Sequence, residues 1–340
     1  MHLSSIHLRQ YRSYDDVVFD FPADTTMIVG KNGTGKTNLL EAIYVLLTGR
    51  SFRDSDYDLT QHEKSWWTIT GIVDGVEREI RYQDDRKQYR IGDTWYKRIP
   101  QSFALPVVLF EPDHLALIHG SPKKRRDYID NLITQLSPQF RSVITRYDRI
   151  LSQRNRLLKN KTIDEDELFI WDMQLATSAN TIMVERQKII ALWNDKLSQE
   201  YSAIATTKSI IHTIYHSSVD QNNYHQDIIK RLHHSRDRDR LLGITSVGVH
   251  RDDYEFFINN HSFITTASRG EVRSLVLGLK NIEMADKAHY FRQSPILLLD
   301  DVLSEIDDMR RDNIIQTNPT IQTIITTTHN IDSHHTIVIT

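Results

Sequence analysis

The 340-residue sequence contains no cysteine, which excludes a disulfide framework and a thiolate zinc site. A cysteine-free chain suits a reducing cytosol. Residues 1–6 lack the basic and apolar regions of a signal peptide. The longest apolar runs, such as residues 296–299, are far too short to span a bilayer. We therefore expect a soluble, cytoplasmic protein that makes no membrane contact.

An excess of positive charge is also missing. The formal net charge of −3 argues against a wholly basic protein that coats nucleic acid, so any DNA contact must come from local patches. The best candidate is the run Lys123-Lys124-Arg125-Arg126, which has no interleaved acid and would contact phosphates. A solvated helix face is the alternative interpretation of such a run.

What the sequence does contain is a complete phosphate-binding loop between an apolar strand and an apolar helix. The loop comprises Gly30, Lys31, Asn32, Gly33, Thr34, Gly35, Lys36 and Thr37. Its glycines permit backbone conformations that aim N–H groups inward, and the helix N-terminus adds partial positive charge. Lys36 is expected to reach the β- and γ-phosphates, and the Thr37 hydroxyl to bind Mg²⁺. The motif therefore predicts a bound nucleoside triphosphate and Mg²⁺.

Two adjacent acids near the other end of the chain complete the predicted site. Residues 295–299 are typical of a buried strand, and they are followed by Asp300 and Asp301. Because an acid at the carboxyl end of a parallel strand faces the ligand crevice, we expect Asp300 to hold the Mg²⁺ shell. Asp301 would polarise the attacking water, so it and Lys36 are the candidate catalytic residues. Their distance from the loop in sequence indicates that a long insertion splits the ATPase head.

A second anion-binding element is indicated by Ser268-Arg269-Gly270-Glu271. Ser268 and Glu271 have the spacing of a capping box, so a helix is predicted to begin here. A helix start alone is the simpler interpretation. A Ser-x-Gly at a helix N-terminus is also an anion site without a ligand of its own, and together with the loop it resembles the signature motif of ABC-type ATPases. In such enzymes the motif binds the γ-phosphate held by a second subunit.

In combination, these residues resemble the RecF family of bacterial DNA-repair ATPases, which is related to the SMC proteins. The resemblance covers nearly the full length, and its segments are residues 8–14, 31–44, 49–53, 110–115, 120–122 with Arg125 and Arg126, 250–253 and 299–307. It implies an ATP-gated homodimer that binds duplex DNA near single-stranded gaps and is released by weak ATP hydrolysis. It also implies RecO and RecR as partners, and support for loading of the RecA recombinase.

The chain departs from the family pattern at three places. The family signature resembles Ser-Gln-Gly-Gln, whereas this chain has Arg269 and Glu271 at the two glutamine positions. Val249 stands where the family pattern before His250 usually carries proline. No glutamine follows the strand predicted at residues 107–110, where ABC transporters have their coupling glutamine. The sequence leaves open which residue senses magnesium from that loop.

The predicted fold class is α/β, an ABC-type P-loop ATPase head split by a mainly helical second lobe. The parts are residues 1–122 and 246–340 for the head and residues 123–245 for the helical arm. Within the arm, Ser137-Pro138 predicts a helix that continues to about Lys159. A longer helix is expected over residues 166–201, where apolar residues recur about every 3.5 positions. This arm is too short for the long rods of SMC proteins.

Two other functions are compatible with the ATPase motifs. A transporter ATPase subunit would share the phosphate-binding loop, but it would also carry the coupling glutamine. An SMC-like chromosome-organising ATPase would require a longer arm. Whether ATP hydrolysis responds to DNA or to membrane fractions discriminates between these functions.

Overall fold

The computed structural model describes residues 1–100, 103–160, 162, 164–302, 321–328 and 335–339. The chain divides into two compact units. The first unit joins Met1–His114 to Lys280–Thr340, and the second unit is Leu115–Leu279.

A five-stranded parallel sheet carries the phosphate-binding loop in the first unit. Its strands are β3 (Thr25–Val29), β8 (Val107–Phe110), β12 (Ile296–Asp300), β13 (Thr323–Thr327) and β14 (His335–Val338). They are ordered β14, β3, β13, β12, β8, and each adjacent pair is parallel. Strands from the two ends of the chain are therefore neighbours. Their carboxyl ends meet at one edge of the sheet, where α/β proteins bind ligands.

A six-stranded antiparallel sheet supplies the remaining strands of the first unit. They are β1 (Leu3–Tyr11), β2 (Tyr14–Asp20), β4 (Trp66–Val73), β5 (Val76–Gln83), β6 (Arg86–Ile91) and β7 (Thr94–Tyr96), in the order β2, β1, β4, β5, β6, β7. Helix α1 (Lys36–Thr48) contacts strands of both sheets. Its apolar residues, such as Leu39 and Ile43, are fully buried in the core that the sheets share. The helix that follows the loop thus lies at the centre of this unit.

The second unit is mainly helical, and the mixed α/β fold with a helical lobe is confirmed. Its helices are α2 (Ala116–His119), α3 (Pro122–Leu136), α4 (Phe140–Leu158), α5 (Glu165–Ala205), α6 (Tyr224–His234), α7 (Arg236–Leu242), α8 (Phe263–Thr266) and the first part of α9 (Arg269–Phe291). Its strands are β9 (Ile211–His216), β10 (Asp253–Ile258) and β11 (His261–Ser262). Short 3-10 helices span Pro112–Leu115 and Gln221–Asn223. Residues 246–279, assigned to the head from the sequence, lie in this unit because β10 pairs with β9.

Helix α5 confirms the long helix predicted for the arm and spans 41 residues. Asp164 caps it, because its carboxylate accepts hydrogen bonds from the N–H groups of Asp166 and Glu167. Four apolar residues of the predicted repeat are buried, namely Leu168, Leu175, Ile182 and Ile189. Within the part of the chain that the structure describes, no helix is long and apolar enough to cross a membrane.

The helix predicted to start at Ser137 begins later. Helix α4 starts at Phe140, and Ser137 is the C-cap of α3. Helix α3 was missed, although Ser121-Pro122 carries the same signal of a capping serine followed by proline. The Ser121 hydroxyl accepts the N–H of Lys124, as an N-cap does.

Side chains of α5 close the free edge of strand β9. The Asn194 amide donates to the carbonyl of Thr213 at 3.0 Å and accepts the Thr213 N–H at 2.6 Å. One turn later, Ser198 pairs in the same way with the carbonyl and N–H of Ile211. The backbone groups that an edge strand exposes are therefore satisfied by a helix.

A buried ion cluster on α9 holds the edge strand β8 of the parallel sheet. The Lys287 ammonium donates to the carbonyl of Val107 and to the Glu283 carboxylate, both at 2.6 Å. Lys280 donates to the other oxygen of Glu283 at 2.9 Å. Burial favours a raised pKa for Glu283, but Lys280 and Lys287 outweigh it and lower the pKa to about 2. The carboxylate therefore stays charged in the core.

Replacing Asn194 by Ala should destabilise the protein by about 1–3 kcal/mol, because a backbone N–H and a carbonyl of β9 lose their partner. Guanidinium unfolding followed by circular dichroism measures this free energy. The exposed Asn222 offers a matched control, and Asn222→Ala should change stability by less than about 0.5 kcal/mol. Equal stability of the two variants would mean that water replaces the Asn194 amide.

Candidate nucleotide site

The phosphate-binding loop connects β3 to α1 at the carboxyl edge of the parallel sheet. Gly33 and Gly35 have φ angles of 86° and 108°, in the left-handed region that favours glycine. A Cβ atom on Gly35 would also lie 2.7 Å from Ser13 Oγ. Gly35 is the N-cap of α1 and supplies no side-chain acceptor to the first helical N–H groups. This arrangement is an anion site at a helix N-terminus.

Lys36 lies within the loop. Its ammonium group donates to the carbonyls of Gly30 and Lys31, both at 2.8 Å, and the residue is 7% exposed. The Thr34 hydroxyl donates to the same Lys31 carbonyl at 3.0 Å. Residues 31–33 form the exposed tip of the loop. The Lys36 ammonium therefore ties together two carbonyls at the start of the loop.

Asp300 meets the loop through Thr37. The Thr37 hydroxyl donates to Asp300 Oδ1 at 2.9 Å, and Thr326 near the end of β13 donates to the same oxygen at 2.7 Å. The two residues predicted to hold Mg²⁺ are thus in contact, and Asp300 is 7% exposed. Oxygen donors of this kind are the ones that Mg²⁺ prefers. Thr326 was missed from the sequence, because β13 reads Thr-Ile-Ile-Thr-Thr and lacks the apolar run that marks β12.

Asp301 follows Asp300 and is held through its backbone N–H group. It is partly exposed, and its N–H donates to Thr326 Oγ1 at 2.8 Å. The structure therefore brings Asp301 to the same edge of the sheet as the loop. The residues 304–307 that extend this motif lie outside the described residues.

A further acid at this edge, Glu111, was overlooked in the sequence. It follows β8, and the register of Phe110 with Leu299 makes it a neighbour of Asp300. Burial, with the charges of Asp113 and Asp300 adding to it, raises the pKa of Glu111 to about 7. The signal in the sequence is a polar residue directly after an apolar strand, at the position where ABC transporters have their coupling glutamine. A carboxyl group with such a pKa is typical of functional sites.

A buried carboxylate on α1 anchors the segments around the loop. Glu41 is fully buried and accepts hydrogen bonds from Arg12 at 3.0 Å, from Arg53 at 2.8 Å and from Ser51 at 2.6 Å. Burial favours a raised pKa for Glu41, but these three partners outweigh it and the pKa is lowered. Glu41 therefore stays ionised and holds two guanidinium groups next to the first turns of α1.

The turn between β1 and β2 contacts the loop directly. The Tyr14 hydroxyl donates to the carbonyl of Gly35 at 3.0 Å, and the Asn38 amide donates to Ser13 Oγ at 3.1 Å. This turn lies within the family segment of residues 8–14, since β1 ends at Tyr11 and β2 begins at Tyr14.

The signature residues lie in the second unit, whereas the loop lies in the first. The capping box at the start of α9 is confirmed. The Ser268 N–H donates to the Glu271 carboxylate at 2.7 Å, and the Glu271 N–H donates to Ser268 Oγ at 3.3 Å. Ser268 is exposed, and Gly270 is in the first turn of the helix. The contact of Ser268 and Gly270 with a nucleotide stays a prediction.

Three cations of the basic run lie near the start of α3 with different surroundings. Lys123 is exposed and pairs with Asp127 at 2.7 Å, and Lys124 is also exposed. Arg126 is partly buried and donates to the carbonyl of Asp252 at 2.8 Å. The two lysines are thus the members of the run with the most accessible side chains.

Arg125 requires a correction to its predicted DNA-binding role. Its side chain is only 7% exposed, and two of its nitrogens donate to the two oxygens of Asp253 at 2.7 Å each. A third nitrogen donates to the carbonyl of Gly120 at 2.9 Å. Because a DNA phosphate would have to displace this buried pair, Arg125 is a structural residue that fastens α3 to β10.

Known proteins resemble this chain over nearly its full length. A family model described as an AAA ATPase domain matches residues 1–332. The DNA replication and repair protein RecF of Heliobacterium modesticaldum is 34% identical, with 97% of this chain and 93% of that protein covered. The chain belongs to the RecF family. The corresponding protein of Streptococcus uberis is 36% identical, with coverage of 96% and 93%. The family is one of DNA replication and repair proteins, and its member here carries an ATPase domain.

Solved structures agree with this family. The recombination mediator protein RecF-ATPrS in the RecFOR pathway has a TM-score of 0.90 at 28% identity, covering 100% of this chain and 96% of that one. RecF-ATP gives 0.88 at 28% identity, with coverage of 97% and 92%. An Smc head bound to the C-winged helix domain of ScpA, at 0.52 and 16% identity, shares the fold. Neither a transporter subunit nor an SMC-like organiser is favoured by these matches.

Replacing Lys123 and Lys124 together by Ala should weaken DNA binding. The log–log slope of affinity against salt should fall by about 0.9 for each phosphate that the variant no longer neutralises. Fluorescence anisotropy with a labelled duplex over a salt series measures that slope.

Replacing Arg125 by Ala should lower the free energy of unfolding by about 3 kcal/mol, because it leaves Asp253 without its buried partner.

Lys188 is the matched control, since it too is an exposed helical lysine paired with an acid on its own helix. Lys188→Ala should leave the slope unchanged. A double variant of Lys123 and Lys124 with the wild-type slope would assign the basic run to a solvated helix face.

Proposed function

We propose that this member of the RecF family is an ATP-dependent DNA-binding protein of recombinational repair and replication, and that it works in the cytoplasm as an ATP-gated homodimer. One observation carries the proposal: the 2.9 Å hydrogen bond between Thr37 and Asp300 joins the two halves of a split ATPase head at the phosphate-binding loop. The similarity to RecF-ATP supports ATP as the nucleotide.

The residues of the loop fit a nucleoside triphosphate with Mg²⁺. The N–H groups of residues 30–35 and the Lys36 ammonium bind the phosphates, and Lys36 stabilises the charge that develops during transfer. Thr37 and Asp300 supply the oxygen ligands for Mg²⁺. ATP contributes the γ-phosphoryl group, and positioning it is most of what the protein does in this class of reaction.

Asp301 orients and polarises the attacking water in this proposal. Its partial exposure and its position directly after Asp300 support that role. Glu111 stands at the end of β8, where a coupling residue is needed, and its raised pKa supports a role at the magnesium edge. Hydrolysis is slow, and it opens the dimer and releases DNA.

Two copies of the chain close around two nucleotides. Ser268 and Gly270 of one copy contact the γ-phosphate held by the loop of the other copy. The exposed N-terminus of α9, with Ser268 as its cap, supports this role, because helix N-termini bind anions. Arg269 and Glu271 replace the glutamines of the family signature, and Glu271 serves the capping box.

Closure assembles the DNA-binding surface, to which Lys123, Lys124 and Arg126 contribute. The substrate is duplex DNA near single-stranded gaps. RecO and RecR are the protein partners, and the complex supports loading of the RecA recombinase. The RecFOR pathway named for the structural relatives supports these assignments.

The two adjacent acids should separate ATP binding from hydrolysis. Asp300→Asn should weaken Mg²⁺-dependent ATP binding and with it dimer closure. Asp301→Asn should still bind ATP but hydrolyse it about 10²- to 10⁴-fold more slowly, as expected when a base is lost. Its closed dimer should therefore persist on DNA. ATP affinity, phosphate release and DNA residence time, compared at equal Mg²⁺, measure these effects.

Asp20 is a control for both variants, because it is an exposed acid at the end of a strand in the other sheet of the first unit. Asp20→Asn should match the wild type in all three measurements. If Asp301→Asn hydrolyses ATP at the wild-type rate, the base lies elsewhere.

Ser268→Arg should leave ATP binding by the monomer intact and abolish ATP-dependent dimerisation, because a large side chain would occupy the place of the partner's γ-phosphate. Gel filtration with light scattering, with and without ATP and Mg²⁺, reports the dimer. Glu271→Ala is the control, since it breaks the capping box but keeps the Ser268 hydroxyl, and it should still dimerise. Normal dimerisation of Ser268→Arg would exclude the clamp.

A further inference from the structure

Asp301 has a backbone conformation that is uncommon for a residue with a side chain. Its φ of 50° lies in the left-handed region. Such conformations persist where the surrounding structure fixes them, and they concentrate at functional sites. Strand β12 ends at Asp300, so the Asp301 N–H lies beyond the ladder that joins β12 to β13. A side chain accepts that hydrogen bond.

The side chain is that of Thr326. Thr326 is completely buried and lies directly across from Asp300 in the register of β12 and β13. Its Oγ1 accepts the Asp301 N–H at 2.8 Å and donates its own hydrogen to Asp300 Oδ1 at 2.7 Å. One hydroxyl therefore holds the backbone of one acid and the carboxylate of the other.

We propose that Thr326 is a positioning residue for ATP hydrolysis, which sets the direction in which Asp301 leaves the sheet and the rotation of the Asp300 carboxylate. Thr326 acts through the two acids. The inference rests on the proposed function, in which Asp301 orients the attacking water. A displacement of about 1 Å at such a group costs about 10²-fold in rate, so a single fixed hydroxyl is enough to matter.

Threonine suits this position because it combines two properties. Its β-branched side chain fits a buried strand, and its hydroxyl both donates and accepts. Thr326→Val keeps the shape and removes both hydrogen bonds. Thr326→Ser keeps the hydroxyl and loses only a methyl group. The pair separates the hydrogen bonds from the packing.

Steady-state kinetics and ATP titration give the first readout. Thr326→Val should lower kcat about 10²-fold and leave ATP affinity within about threefold, whereas Thr326→Ser should restore most of the rate. The control is Thr323, a buried residue at the amino end of the same strand, whose hydroxyl bonds to the carbonyl of Ile321 at 3.3 Å. Thr323→Val should hydrolyse ATP at the wild-type rate.

Hydrogen exchange in the nucleotide-free protein gives a readout that does not depend on activity. The Asp301 amide should exchange slowly in the wild type and in Thr326→Ser, and faster in Thr326→Val, because the acceptor is gone. Peptides that cover residues 296–302 report it by mass spectrometry. If Thr326→Val folds poorly, Thr326→Ala serves in its place. Unchanged exchange in the variant without the hydroxyl would overturn the proposal.

A double variant tests whether Thr326 acts through Asp301. In an Asp301→Asn background, Thr326→Val should lower the rate by clearly less than its effect of about 10²-fold in the wild type, because the part of that effect that passes through Asp301 is already lost. Full additivity would overturn the inference. Slow hydrolysis by Asp301→Asn with a wild-type rate for Thr326→Val would overturn this inference alone. A wild-type rate for Asp301→Asn would overturn the proposed function, and this inference with it.

Discussion

The first unit is organised around one carboxylate oxygen, Asp300 Oδ1, which accepts hydrogen bonds from Thr37 and Thr326. These three residues stand on α1, β12 and β13, which come from opposite ends of the chain. The parallel sheet makes the meeting possible, because it gathers the carboxyl ends of its strands at one edge. The loop, the proposed metal ligands and the candidate base share their position for that reason. A change in the order of the strands would separate all of them.

Two buried glutamates of this unit keep their charge, whereas the charge of Glu111 at the nucleotide site can change. Glu41 and Glu283 are both buried, yet each stays ionised because two basic side chains surround it. Glu111 is only partly buried but lies near other acids, and its pKa rises to about 7. The ion pairs of Glu41 and Glu283 therefore hold their segments together at any moderate pH. The edge of the sheet retains a carboxyl group whose charge can respond to what binds there.

The sequence was enough to predict the loop, the strands around it and the position of Asp300 at the sheet edge, because each rests on a local pattern. It was not enough for Thr326 or Glu111, since a polar residue at the end of a strand does not say which strands are neighbours. The burial of the Arg125 side chain could not be predicted for a related reason. Its partner Asp253 is 128 residues away, and no local feature distinguishes a buried arginine from an exposed one. The start of α3 has a local signal, the capping serine followed by proline at Ser121-Pro122, but the prediction placed a helix start only at Ser137, where α3 ends.

The closure of β9 by α5 ties two elements into one cooperative unit. Asn194 and Ser198 replace the hydrogen bonds that a further strand would make, so the edge cannot open while the helix stays in place. Amides of β9 should therefore exchange only in events that also detach this part of α5. Without the helix, the open edge of β9 would be a template for pairing with other chains. The same two side chains that join helix to strand therefore also remove a site for self-association.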